Sequence, residues 1–156
     1  MAPRKQINYK ALNDRLCKTG KEFEQALNAL IDIAKMDVDQ ACRAAMSDLY
    51  GELTDKAPKD TGRVTIGFNI NEGPSEWAPP PGEYKDKLAQ AAIENKQRLD
   101  AIPPGRPVTI SNNIEYLPPL EDGHSRQAPS GFLASSVRWA ARRLEAEAAE
   151  FSKKKP

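Results

Sequence analysis

Ala57-Pro58-Lys59-Asp60-Thr61-Gly62-Arg63-Val64-Thr65-Ile66-Gly67-Phe68-Asn69-Ile70 is where this chain changes its hydrophobic period. Upstream of Ala57, apolar residues recur at steps of three or four. From Val64 they recur at every second position, with Arg63, Thr65, Gly67 and Asn69 between them. The first spacing places apolar side chains on one face of a helix, and the second on one face of a strand. Pro58 disfavours helical backbone at Ala57, and Asp60-Thr61-Gly62 is turn chemistry. The stretch therefore reads as helix, turn, and a half-buried strand over Val64 to Ile70.

Working back from Ala57, the residues Phe23, Leu27, Leu30, Ala34, Val38, Ala41, Ala45, Leu49 and Leu53 line one helical face. Thr19 and Glu22 have the spacing of a capping box, which predicts a helix start at Thr19. The face is long enough for one helix of about 50 Å at roughly 1.5 Å per residue. Met36-Asp37-Val38-Asp39 is an alternative break, because aspartate has poor helix propensity. Before Thr19, the cations Arg4, Lys5, Lys10, Arg15 and Lys18 face Asp14 alone. Residues 1–18 read as a flexible, solvated basic arm; the alternative is an arm that orders on a partner protein or on nearby DNA.

Working forward, Asn71 to Gly82 is rich in Pro and Gly and reads as an exposed loop, with Trp77 as its candidate anchor. Glu83 to Leu99 reads as a middle helix. Val108 and Ile110 mark a short strand over Pro107 to Ser111. Ile114 to Leu120 has room for a helical turn, limited by Pro118 and Pro119. The final helix begins near Ser130 or Gly131, with Phe132, Leu133, Val137, Ala140, Leu144 and Phe151 on its apolar face. Residues 152–156 form a basic tail expected to fray. The expectation is one domain over 19–151: a long N-terminal helix, two short strands, a middle helix and a C-terminal helix.

With 156 residues the chain is long enough to bury a core without metal or disulfide staples. Its net charge of +1 gives no general nucleic-acid footprint. Cys17 and Cys42 fit a reduced compartment, and with the sole histidine they match no zinc spacing. Met1 to Lys10 has no apolar run of a secretory signal, and no stretch approaches a membrane span. The expectation is a soluble protein assembled in a bacterial cytoplasm, with no membrane partner and no cofactor.

The segment Asn112-Asn113-Ile114-Glu115-Tyr116-Leu117-Pro118-Pro119-Leu120-Glu121-Asp122-Gly123-His124-Ser125-Arg126-Gln127-Ala128-Pro129 carries the only histidine. A hydrolase reading would make His124 a general base, Ser125 or Ser130 the nucleophile, and Glu121 or Asp122 the orienting acid. The residue types are present, but no nucleophile-elbow spacing is. Gly62-Arg63-Val64-Thr65-Ile66-Gly67 lacks the Lys-Ser/Thr of a phosphate loop and precedes a predicted strand. Arg138, Arg142 and Arg143 lie near Glu145, Glu147 and Glu150, as on a solvated helix face, and no helix-turn-helix pattern supports a DNA-binding regulator. Loop chemistry fits the segment better: glycine for positive φ, short polar side chains for irregular backbone, and proline before a helix.

Two pieces of this chain resemble the neck and tail-completion proteins of tailed bacteriophages. Asp60, Thr61, Gly62 and Arg63 match that family's Pro-x-Asp-Thr-Gly-Arg turn. Tyr116, Glu121, Gly123, His124, Ser125, Gln127, Pro129 and Gly131 match its later motif. The resemblance covers roughly Leu49 to Leu144 and departs at Pro118-Pro119, where a more helix-compatible pair is expected. It implies an α+β fold, with a long N-terminal helix, a small antiparallel sheet and a C-terminal helix, and a non-enzymatic virion subunit in which these residues are structural or interfacial. It also implies closed rings of this chain, with six-fold symmetry imposed by a tail. The implied neighbours are head connector or head-completion proteins, tail-terminator or tail-tube proteins, and packaged double-stranded DNA in non-specific proximity. The tail-terminator position is an alternative within the virion, and the hydrolase and the regulator are alternatives of a different class.

Overall fold

The computed structural model describes residues 8–123 and 130–154. Its order is α1 (Tyr9–Ala34), α2 (Val38–Lys56), α3 (Arg63–Gly67), β1 (Asn69–Glu72), α4 (Leu88–Ala101), β2 (Val108–Ser111), α5 (Leu117–Glu121) and α6 (Phe132–Lys154), with a single 3₁₀ turn at Lys85–Lys87. The α+β expectation holds: a mostly helical chain with one small antiparallel sheet.

The first helix starts earlier than its sequence suggests. Asn8 caps α1, its Oδ1 accepting from Ala11 N at 3.0 Å. Leu12 is buried, so the stretch read as a flexible arm is helix from Tyr9 onward. Residues 1–7 lie outside the described part. Thr19 is not a cap. It sits buried inside α1 and donates its hydroxyl back to Leu16 O at 2.9 Å, a bond mid-helix Thr makes routinely. The break at Met36-Asp37 is present. Lys35 turns left-handed at φ 55°, and Asp37 caps α2 by accepting from Gln40 N at 2.9 Å. At the other end of the chain, α6 continues to Lys154, so the expected tail is helical over most of its length.

α1 and α6 lie side by side and run the same way. Arg15 reaches the carboxylate that caps the start of α6, while Ala26 and Leu30 pack with Ala141, Leu144 and Ala148 further along. Alanines at this contact let the two helices approach closely. α2 lies against the pair through Ala45 and adds Leu49, Tyr50 and Leu53 to a second cluster with Val64, Phe68, Ile70, Leu99, Ile114 and Phe132. Phe132 is fully buried there, whereas Phe151, expected on the same face, is 45% exposed. Arg43 of α2 donates to Leu99 O and Ile102 O, which satisfies carbonyls at the end of α4.

The predicted strand at Val64 is the main correction. Residues 63–67 are helical, and β1 begins only at Asn69. Val64 and Phe68 are two strand repeats apart, but they are also one helical turn apart, so the apolar spacing fits both structures. The turn decides between them. Gly62 is left-handed at φ 77°, and its carbonyl accepts from Ile66 N at 3.0 Å. Gly67, expected on the solvent face, is buried under the chain at Asn112–Ile114. A Cβ there would come within 2.6 Å of Ile114 Cδ1. β1 and β2 pair antiparallel, Asn69 with Ser111 through Glu72 with Val108. The irregular chain between Gly73 and Tyr84 fits the loop expected there, but Trp77 is about half exposed and Pro79 is the buried residue. The proline pair sits in the first turn of α5, where missing N–H groups cost no helical bond.

Candidate functional site

The two segments that carry the family resemblance meet in space. Thr61 turns the chain twice over: its Oγ1 accepts from Arg63 N at 3.2 Å, and its carbonyl accepts from Tyr84 N at 2.7 Å. Gly62 lies against the backbone of Tyr84 and Lys85, so a Cβ there would meet both at 3.1 Å. That turn aims the Arg63 side chain inward. Its Nε donates to Pro79 O at 3.0 Å, and Nη1 and Nη2 donate to the two oxygens of Glu115 at 2.8 and 3.2 Å. Its guanidinium lies over the Tyr116 ring, 5.4 Å from the centroid. One side chain therefore joins the first turn, the proline loop and the start of α5. The paired geometry matches a planar fork to a carboxylate. The hydrogen bond from Arg63 holds the Glu115 carboxyl below its ordinary range, and the same bond raises the guanidinium further. Asp60 is exposed at the outer side of the turn.

Glu121 forms a second junction. It is fully buried, and its carboxylate accepts from Leu133 N at 2.7 Å and Ala134 N at 3.2 Å. These are N–H groups at the start of α6 with no helical acceptor, and a carboxylate there also complements the helix dipole. Its backbone carbonyl accepts from Gly131 N at 2.8 Å, so α5 and α6 are tied at both levels. Arg15 Nη2 lies 3.7 Å from Oε1 and brings α1 to the same point. Burial pushes the Glu121 carboxyl up from its ordinary value, while the bonds from Leu133 and Ala134 and the charge of Arg15 oppose that shift. Gly123 N donates to Leu120 O at 3.1 Å, ending the α5 segment. His124, Ser125, Gln127 and Pro129 lie outside the described residues.

Three asparagines complete the frame: Asn112 and Asn113, which open the quoted segment, and Asn95, which did not stand out in the sequence. Asn112 donates to Val64 O at 3.0 Å, and Asn113 to Ser75 O at 2.6 Å and Trp77 O at 3.0 Å. Asn95 is buried among three elements: its Oδ1 accepts from Ile70 N at 2.8 Å, and its Nδ2 donates to Tyr50 Oη at 3.0 Å and Ala91 O at 2.9 Å. One sequence signal was available for Asn95. It lies one helical turn from both Ala91 and Leu99, on the buried face of α4.

Of the described polar residues of both motifs, Thr61, Arg63 and Glu121 bind backbone groups with their side chains, and Arg63 adds its pair to Glu115. Among the described residues, no group of His, Cys, Asp and Glu is arranged to hold a metal ion. Cys17 and Cys42 are free thiols, and burial raises the pKa of Cys42. Among the described residues, no helix is long and apolar enough to cross a membrane. No protein-family model, curated protein or solved structure matches this chain.

Proposed function

We propose that this chain is a non-enzymatic virion subunit of a tailed phage, a neck or tail-completion protein that joins the head connector to the tail as a closed ring. The observation that carries this reading is the meeting of the two resembling segments at Arg63, which grips Glu115 and covers Tyr116. Residues shared with a structural family are used here to fix loop shape. A ring needs shaped, non-identical surfaces on its two sides, because head-to-tail contacts must close.

Labelled chain in purified, imaged particles tests the proposal. The expected result is label at the head–tail joint. Label at the far end of a headless tube would favour the terminator position, and label absent from particles would sink the structural reading. Two variants separate the classes. Arg63→Ala should lower the yield of joined particles. His124→Ala should leave no turnover to lose; loss of a measurable hydrolysis with particles intact would favour the enzyme.

A further inference from the structure

Trp77 is half exposed while its backbone is pinned on both sides. Its N–H donates to Ser75 Oγ at 3.2 Å, and its carbonyl accepts from the Asn113 amide at 3.0 Å. The same amide donates to Ser75 O, and Arg63 holds the carbonyl of Pro79 two residues on. A large apolar ring is therefore presented to solvent from a fixed base. Together with Ile66 of α3 and one stripe of α4, it lines an open cleft of about 540 Å³. The stripe is Lys87, Ala91, Glu94 and Arg98, at steps of four, three and four that keep one helical face. At roughly 1.5 Å per residue, Lys87 and Arg98 stand about 16 Å apart along the helix. Lys87 lies over the Tyr84 ring, 5.7 Å from its centroid, and Arg98 donates to Asn95 Oδ1 at 3.2 Å. Neither cation has a carboxylate partner among the described residues. Glu94, between them, accepts from Gln90 at 3.3 Å.

We propose that this cleft docks an extended acidic segment of a partner protein, with a carboxylate for each cation and apolar side chains for Trp77 and Ile66. Charge selects that occupant. A basic segment would meet Lys87 at one end and Arg98 at the other. A nucleic-acid strand, charged at every unit, would set a phosphate against Glu94. A neutral ligand would leave both cations unanswered. Shape selects the conformation. A volume of about 540 Å³ along 16 Å leaves a cross-section of roughly 34 Å². That is well below the cross-section of a helix about 10 Å across and nearer that of one extended strand. Side chains of an extended segment alternate between two faces, so carboxylates four residues apart share one face at a separation of about 13 Å. The long stems of Lys87 and Arg98 cover the remainder. The two residues flanking the middle one then point the other way, toward Trp77 and Ile66. A tryptophan held in place on an open surface is the kind of anchor that carries much of the energy of such contacts.

A dye-labelled pentapeptide tests this, with glutamate at both ends, leucine at the second and fourth positions and serine in the middle. It is titrated into the full chain and followed by fluorescence anisotropy. The expected result is saturable binding with Kd below about 1 mM, lost in Trp77→Ala. Lys87→Ala should weaken it about threefold, and so should Arg98→Ala, as exposed charge pairs do. The same peptide with glutamine for glutamate should bind about tenfold more weakly, both pairs being lost. Lys96→Ala, on α4 but outside the cleft, should change nothing. Arg98 also holds Asn95, so Lys87→Ala carries the test should Arg98→Ala fail to fold. The proposal is overturned by no saturable binding, by equal binding of the glutamine peptide, or by binding that survives Trp77→Ala. A single-stranded oligonucleotide that binds more tightly than the peptide and needs Trp77 to do so overturns it as well.

Discussion

The helical frame and the loop-and-strand half of this molecule are held together by different physics. In the frame, α1, α2 and α6 meet through alanines and leucines: Ala26, Leu30, Ala45, Ala141, Leu144 and Ala148. Such contacts are non-directional, and several residues share the burial. Between Arg63 and Gly123, single polar side chains decide where backbone goes. Arg63, Asn95, Asn112, Asn113 and Glu121 each hold carbonyls or amides that regular ladders leave open. A short sheet and short helices leave many such groups, and burying one without a partner is costly. The frame should therefore tolerate conservative change, while the other half should not.

Phe132→Ala should have the largest effect, because Phe132 is fully buried where the two halves join. A loss of about 3–5 kcal/mol in denaturant unfolding is expected. A loss below 1 kcal/mol, on the order of a surface change, would mean that the two halves do not share a core. Asn95→Leu comes next. It keeps the volume close but strands Ile70 N and Tyr50 Oη, so about 1–3 kcal/mol should go. If that variant is neutral while Leu30→Ala is severe, the distinction between the halves fails. Gly62→Ala meets the left-handed φ of 77° and the backbone of Tyr84 and Lys85. It should cost roughly 1–2 kcal/mol.

Two carboxylates sharpen the comparison by sign. Glu121 has its folded pKa raised, so its favourable share is complete below the unfolded value of 4.5 and is lost as pH rises through the folded value. Glu115 has its folded pKa lowered, so its share is complete above 4.5 and is lost as pH falls through the folded value. Relative to wild type, Glu121→Gln should therefore gain stability as pH rises, and Glu115→Gln should gain it as pH falls. Urea midpoints across that range provide the check; parallel curves for all three proteins would show that neither carboxylate is held as described. Arg143→Ala should do least. Arg143 is half exposed beside Asp48 and Glu147 on the frame's surface, and about 0.5 kcal/mol or less is at stake.

Much of the frame was legible in the sequence because helical periodicity survives packing. The faces of α2 and α6, except for exposed Val38 and Phe151, the break at Asp37 and the stop at Pro58 follow from local chemistry. The start of α1 did not follow, because Thr19-x-x-Glu22 satisfies the spacing of a cap without being one, and Asn8 lies in a stretch whose basic residues read as an arm. The candidate site was legible only as residue names. Glu115 lay in the quoted segment without being singled out, since nothing local shows that Arg63 reaches it across the fold.

The sequence alone determined the order of the helical stretches, though not whether the first is continuous, the loop that follows the first strand, the short strand at Val108 and the glycine and proline positions of both turns. Each depends on neighbours a few residues away. Tertiary structure decided the rest: that Val64 is helical and not extended, that Asn95 closes one edge of the sheet, that Glu121 caps a helix it does not belong to, and that Arg63 joins two distant segments. In each of these the partner comes from another element, and only the folded chain brings the two within hydrogen-bonding distance.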